Sequence, residues 1–186
     1  MRGNYRHPGG DSVRSGTLLL GALSVAVLLA ACSTGPGPLA SGGWGGSVCI
    51  PSRLYPEPAV GMWLLDNTGS SPVMVISVKL PSHGLAMTKA WLVPEYKSQH
   101  NTTDYFGDQA GWPPIRYRTW PDRQPIPGAV IKPGQELNLI FGVTLTGSGD
   151  GTTDGPVITY TAGRGTYTMQ AGFGIDLIAI HGHCPH

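Results

Sequence analysis

The last six residues, His181-Gly182-His183-Cys184-Pro185-His186, hold three of the chain's six histidines. Imidazole nitrogen and thiolate sulfur are the donors that Zn and Cu favour, and alternate residues of a strand point the same way. His181 and His183 could therefore chelate together, with His186 nearby, and this makes an envelope Cu or Zn binding protein one reading of the chain. A second constellation, Asp150-Gly151-Thr152-Thr153-Asp154-Gly155, offers oxygen ligands for Ca²⁺. It lacks the EF-hand spacing and its closing Glu, so a hairpin loop is the better reading. No Gly-x-Ser-x-Gly elbow, His-Glu-x-x-His pair or phosphate-binding glycine loop occurs, and no catalytic residue is assigned.

The third constellation is a long segment, residues 97–128 (KSQHNTTDYFGDQAGWPPIRYRTWPDRQPIPG). Ordinary connections run to about 4 to 6 residues, so this one needs a reason. Tyr105, Phe106, Trp112, Tyr117 and Trp120 are interleaved in it with Arg116, Arg118 and Arg123. Aromatics and arginines dominate binding hot spots, because they present large rigid area with a polar end. Tyr105, Trp112, Arg116, Tyr117, Arg118 and Trp120 are accordingly the candidate partner-binding residues, for a protein in the cell envelope. The competing arrangement makes residues 115–120 (IRYRTW) an edge strand, with its aromatics packed inward and its arginines in solvent.

Cysteine count ties these readings together. The chain has three, at positions 32, 49 and 184. Residues 1–16 carry Arg2, Arg6 and Arg14 against a single Asp11, and residues 18–31 (LLLGALSVAVLLAA) are uncharged and apolar. Fourteen apolar residues are too few for a membrane span, which needs about 20. A basic start, a short apolar run and a small-residue ending describe a signal peptide. Its end, Leu29-Ala30-Ala31-Cys32, resembles the lipobox of bacterial prolipoproteins. The resemblance implies that Cys32 carries lipid and becomes the N-terminus after cleavage. The protein would then be held on the outer face of the cytoplasmic membrane, with the membrane as partner through that lipid. Cys49 and Cys184 are left as an even pair in an oxidising compartment, where a disulfide is expected.

Composition bears on partners and class. Removing three Arg and one Asp with residues 1–31 leaves nine basic and ten acidic residues. With no cationic excess to neutralise phosphates, nucleic acid is not an expected partner. The chain has 28 Gly and 17 Pro, which break helices and suit short strands joined by turns. Residues 33–47 (STGPGPLASGGWGGS) read as a flexible tether. The expected organisation is a signal peptide at 1–31, a lipidated N-terminus and tether at 32–47, and one domain at 48–186.

Within that domain the pattern is strand and turn. Residues 60–67 (VGMWLLDN) put Val60, Met62 and Leu64 on one face and Trp63 and Leu65 on the other. The turn Asn67-Thr68-Gly69-Ser70-Ser71-Pro72 leads to residues 73–80 (VMVISVKL), a hairpin candidate. Residues 85–93 are bounded by Pro81 and Pro94 and read as strand. Residues 136–144 (ELNLIFGVT) place Leu137, Leu139, Phe141 and Val143 on one face. A glycine-rich connector spans 147–155, and further strands are expected at 156–161, 167–170 and 174–180. The run VGMWLLDNTGSSPVMVISVKL with the later IKPGQELNLIFGVTL resembles bacterial immunoglobulin-like domains. That resemblance implies an all-β, immunoglobulin-like antiparallel β-sandwich of about seven to eight strands. Cys49 and Cys184 flank the domain and lack the internal Cys-Trp-Cys spacing of antibody domains, so the likeness implies architecture and no activity.

Overall fold

Residues 136–145 show how the sequence makes its elements. Leu137, Leu139, Phe141 and Val143 alternate along this strand and all four are fully buried on the face expected of them. Asn138, Ile140 and Gly142 occupy the opposite face and are buried as well. A strand buried on both faces must lie in the middle of a sheet covered on both sides.

The computed structural model describes residues 37–42, 45–97, 103–104, 110–179 and 184. Their strands in chain order begin with β1 Leu39–Gly42, β2 Gly46–Pro51, β3 Pro58–Asn67, β4 Val73–Lys79, β5 Ser82–His83 and β6 Leu85–Pro94. Four short pieces come next: β7 Tyr96–Lys97, β8 Thr103–Asp104, β9 Ala110–Gly111 and β10 Gln124–Pro125. The chain then forms β11 Ala129–Ile131, β12 Glu136–Leu145, β13 Gly151–Thr153, β14 Val157–Ala162, β15 Gly165–Gln170 and β16 Phe173–Ile178.

Two of the sheets face each other across one core. The first runs β1-β3-β12-β6-β10, with β9 beside β3, and the second runs β11-β4-β14-β15. Lettering the seven principal strands A to G in chain order gives A-B-E-D and C-F-G, all antiparallel. This is the strand order of the immunoglobulin sandwich. The expected fold class is therefore observed. Trp63 and Phe141 stack at its centre, ring centroids 4.7 Å apart and 15° from parallel. A third sheet, β2-β16-β13-β5, closes one end, with β2 and β16 parallel. Cys49 in β2 is bonded to Cys184, Cα atoms 5.7 Å apart, as the cysteine arithmetic required.

Three expectations are corrected. Val60 shares the inter-sheet face with Trp63 and Leu65 instead of opposing them. The β3–β12 register slips between Leu139 and Phe141. Such a bulge adds one residue to a strand and reverses its parity. The connector at 147–155 contains β13, paired on both edges. The third correction concerns the tether. Residues 39–42 form β1 on the edge of β3, and Gly46 and Ser47 already belong to β2. Leu39, only 6% exposed, is the apolar residue that draws this segment onto the core. The Pro38 carbonyl accepts hydrogen bonds from the Thr68 backbone N–H at 2.9 Å and from its hydroxyl at 2.8 Å. The fold thus includes residues from 37 onward, eleven before the expected start of the domain at 48.

Asn67 fixes the end of the sandwich where β1 begins. Its fully buried amide donates to the carbonyls of Ser71 and Ile131, each at 2.9 Å, and accepts from the Gly69 N–H at 3.0 Å. One side chain therefore pins the β3–β4 turn to β11. The turn from β11 to β12 reverses at Gly134, whose φ of +67° suits glycine and few other residues.

Tyr160 lies at the same end, 1% exposed and stacked on Tyr167 at 5.4 Å. Burial pushes its hydroxyl above the ordinary value of 10.0, partly opposed by a hydrogen bond from the Leu39 backbone. The native hydroxyl therefore holds its proton to higher pH than the unfolded one. Its stabilising contribution is complete below pH 10 and is lost as pH rises from there through the native value. Urea midpoints should accordingly fall between pH 8 and pH 11, and less steeply in Tyr160→Phe. Equal slopes in the two proteins would remove Tyr160 as the cause.

Candidate functional site

The second buried face of β12 is covered by the long segment that the sequence singled out. Ala59, Val93 and Ile140, from three adjacent strands, form a fully buried patch on the outer side of the first sheet. Trp120 sits over it at 6% exposure, ringed by half-buried Trp91, Trp112 and Tyr117. Trp120 meets Trp91 edge-on at 6.0 Å and Trp112 at 5.7 Å. Gly142 makes the room: a Cβ there would stand 2.8 Å from the Trp112 ring.

Local backbone chemistry explains how the segment lies down. Residues 112–119 form successive turns, with Ile115 N–H donating to the Pro113 carbonyl and Tyr117 N–H to the Pro114 carbonyl. A 3-10 turn, Trp120–Asp122, starts with Pro121 among its first residues. The Thr119 hydroxyl donates to the Pro94 carbonyl, and the Trp112 N–H to the Glu57 carbonyl at 2.9 Å. Arg123 lies 5.0 Å from the Trp91 ring and 4.9 Å from the Trp120 ring, and donates to the Trp120 carbonyl at 3.0 Å.

These positions revise the sequence reading residue by residue. Residues 115–120 are turns, so the edge strand is not formed. Trp120 is a packing residue, while Trp112 and Tyr117 are partly so. Arg116 and Arg118 are exposed, as is Ile115 at 73%. Tyr105 lies outside the described residues, as do Cys32, His181, His183 and His186. The signal that could have located this second core is the unbroken apolar run of β12. Ile140 and Gly142 had no assigned neighbour in a one-sided reading.

Beyond Trp120 the segment crosses the open side of the sandwich. Gln124 and Pro125 pair with Leu92 and Trp91 of β6, and β11 then pairs with residues 73–75 of β4. The Gly128 N–H donates to the Val75 carbonyl at 2.9 Å, and the Gln124 side chain accepts from the Val130 N–H at 2.8 Å. This bridge covers only half of the opening. Below it, residues 76–79 of β4 and 85–90 of β6 have no strand on their outer edges among the described residues. Between these edges is a cleft of about 440 Å³, walled by Ile76, Val78, Met87, Trp91 and Ile126 and closed at one end by Pro125 and Pro127. Ile76 is 38% exposed, Lys89 lines the cleft from solvent, and Lys79, the residue after Val78, is exposed as well.

A second hollow, about 610 Å³, is lined by Ser47, Cys49, Asp150, Thr152 and Asp176 beside the disulfide. Both oxygens of Asp176 accept hydroxyl hydrogen bonds at 2.7 Å, from Ser47 and from Thr152. Asp150 accepts the Ala179 N–H at 2.7 Å. Its carboxylates thus tie strands together. No group of three His, Cys, Asp or Glu suited to a metal occurs among the described residues.

No protein-family model matches the chain, and no curated protein matches it. Among solved structures it is similar to the ASH/PapD-like domain of human CEP192 (PapD-like domain 7). That likeness has 12% identity and a TM-score of 0.39, over 87% of this chain and 99% of that one. It is also similar to the VesB protease of Vibrio cholerae, at 8% identity and a TM-score of 0.38, over 75% of this chain and 32% of that one.

Proposed function

We propose that this protein is a lipid-anchored, non-enzymatic binding module of the cell envelope that captures an extended protein segment in the cleft between β4 and β6. The observation that carries this reading is the pair of unpartnered strand edges flanking an apolar floor. Free strand edges offer N–H and C=O groups in register, and a peptide adding to such an edge gains main-chain hydrogen bonds. Its alternate side chains would enter the cleft beside Met87 and Ile126. The exposed ammonium groups of Lys79 and Lys89 favour a segment that carries acidic residues between its apolar ones. The long segment contributes Pro125 to Pro127 as the cleft's end wall, and its Trp120 cluster holds that wall in place.

Selection from a displayed library of random peptides would test the reading. Sequences alternating apolar and acidic residues should be enriched on the wild-type domain. The same peptides should lose about tenfold or more in affinity for Ile76→Asp and for Lys89→Glu. Both sites are solvent-facing, so melting temperature should move little. Peptides with no such pattern, or binding indifferent to both changes, would remove the cleft as the site.

A further inference from the structure

The lipid anchor and the start of β1 together fix which end of the domain faces the membrane. This inference rests on the proposed lipidation of Cys32. Five peptide steps separate Cys32 from Gly37, and a fully extended chain covers at most about 18 Å in five steps. Gly37 is held against the rings of Tyr160 and Tyr167, where a Cβ would collide with the Tyr160 hydroxyl. Pro38 is bonded to Thr68. The point of departure is therefore fixed on the body of the domain. Ten-residue strands such as β3 and β12 span about 33 Å, so a leash of this length does not reach around to the end closed by the third sheet.

We propose that the end built from three turns, residues 68–72, 132–135 and 163–164, rests on the phospholipid headgroups. Strand pairing places the three together: Leu39 opposite Asn67, Ile131 opposite Val73, and Ala162 opposite Val73. Thr68, Ser70, Ser71, Lys132 and Arg164 are exposed at the tips. Hydroxyls and cations at these tips suit anionic headgroup oxygens, since each cation near a charged bilayer surface adds attraction. Three carboxylates with described side chains lie at this end: Asp66 and Glu136 are Cα partners, and Glu95 follows Pro94, the partner of Leu137; all three are half-buried, whereas Lys132 and Arg164 are exposed. The pose has a consequence for the cleft. Its Pro125–Pro127 wall lies on the membrane side, so the unpaired edges of β4 and β6 open away from the bilayer.

The test uses the full lipidated protein reconstituted in vesicles of phosphatidylcholine and phosphatidylglycerol. A fluorescent label is placed at Ser71→Cys or at Ser148→Cys, beyond the far end of β12. Headgroup nitroxide lipids should quench the label at 71 severalfold more than the label at 148. Lys132→Glu with Arg164→Glu should cut quenching at 71 by about half or more. A spacer of about a dozen Gly and Ser residues inserted after Thr34 should erase the difference between the two sites. Equal quenching at 71 and 148 in the unmodified protein would overturn the pose while leaving the anchor intact. If Cys32→Ala fractionates with membranes as the wild type does, the anchor reading fails, and the pose with it.

Discussion

Replacing Cys49 and Cys184 together by serine should lower the stability of the domain by about 5 kcal/mol in the chain-entropy account of cross-links. The two residues are 135 apart in sequence, so the bond closes nearly the whole fold into one loop. Loop entropy grows slowly with length, but at this length it is close to its practical maximum. Native contacts add to the effect. The β2 strand carries Ile50, 2% exposed, into the core and is held by a six-residue parallel ladder to β16. Without the covalent link, that ladder rests on its own hydrogen bonds and on the burial of Ile50, Ile175 and Leu177. The melting temperature should fall by roughly 10 to 20 °C for a domain of this size. Denaturant titration of the double-serine variant, or of wild type in reductant, gives the number. A loss below about 2 kcal/mol would mean that the unfolded chain is already compact enough to make the cross-link redundant.

How much of this was legible in the sequence varies with the range of the interaction. Local alternation was reliable wherever one strand kept one parity, as from Leu137 to Val143. It failed at β3, because a bulge is a property of two strands and only one was being read. The disulfide followed from counting and compartment alone. The tether was misread because composition is a weak guide to backbone pairing. Residues 39–42 are small apart from Leu39, yet they fill an edge that β3 would otherwise leave open. The long segment drew attention through its aromatics and arginines, and the structure gives its tryptophans a packing role. Its aromatics were weighed as contact surface or as an edge strand, whereas Trp112, Tyr117 and Trp120 roof a sheet face that only the complete strand order shows to be apolar. The cleft was invisible for the same reason: its walls come from residues far apart in sequence, aligned by pairings that no local pattern specifies.

That roof makes the second large expected effect. Trp120→Ala should destabilise the domain by about 3 to 5 kcal/mol, the usual cost of truncating a large buried aromatic. The substitution empties the space over Ala59, Val93 and Ile140 and removes the edge contacts to Trp91 and Trp112. It also leaves the Arg123 guanidinium with one ring in place of two. Trp112→Ala should cost about half as much, because that ring is already half in water. The measurement is a pair of denaturant curves, with far-UV spectra to establish that the sandwich persists. The outcome also bears on binding, because Arg123 and Gln124 lead directly from Trp120 into the wall of the cleft. Loosening the roof should let Pro125 to Pro127 shift and weaken peptide capture, even though Trp120 would touch no peptide. A Trp120→Ala protein that keeps wild-type stability but loses its peptide would reverse this assignment. The aromatic segment would then be contact surface after all, and the patch beneath it would not need the cover that its burial implies.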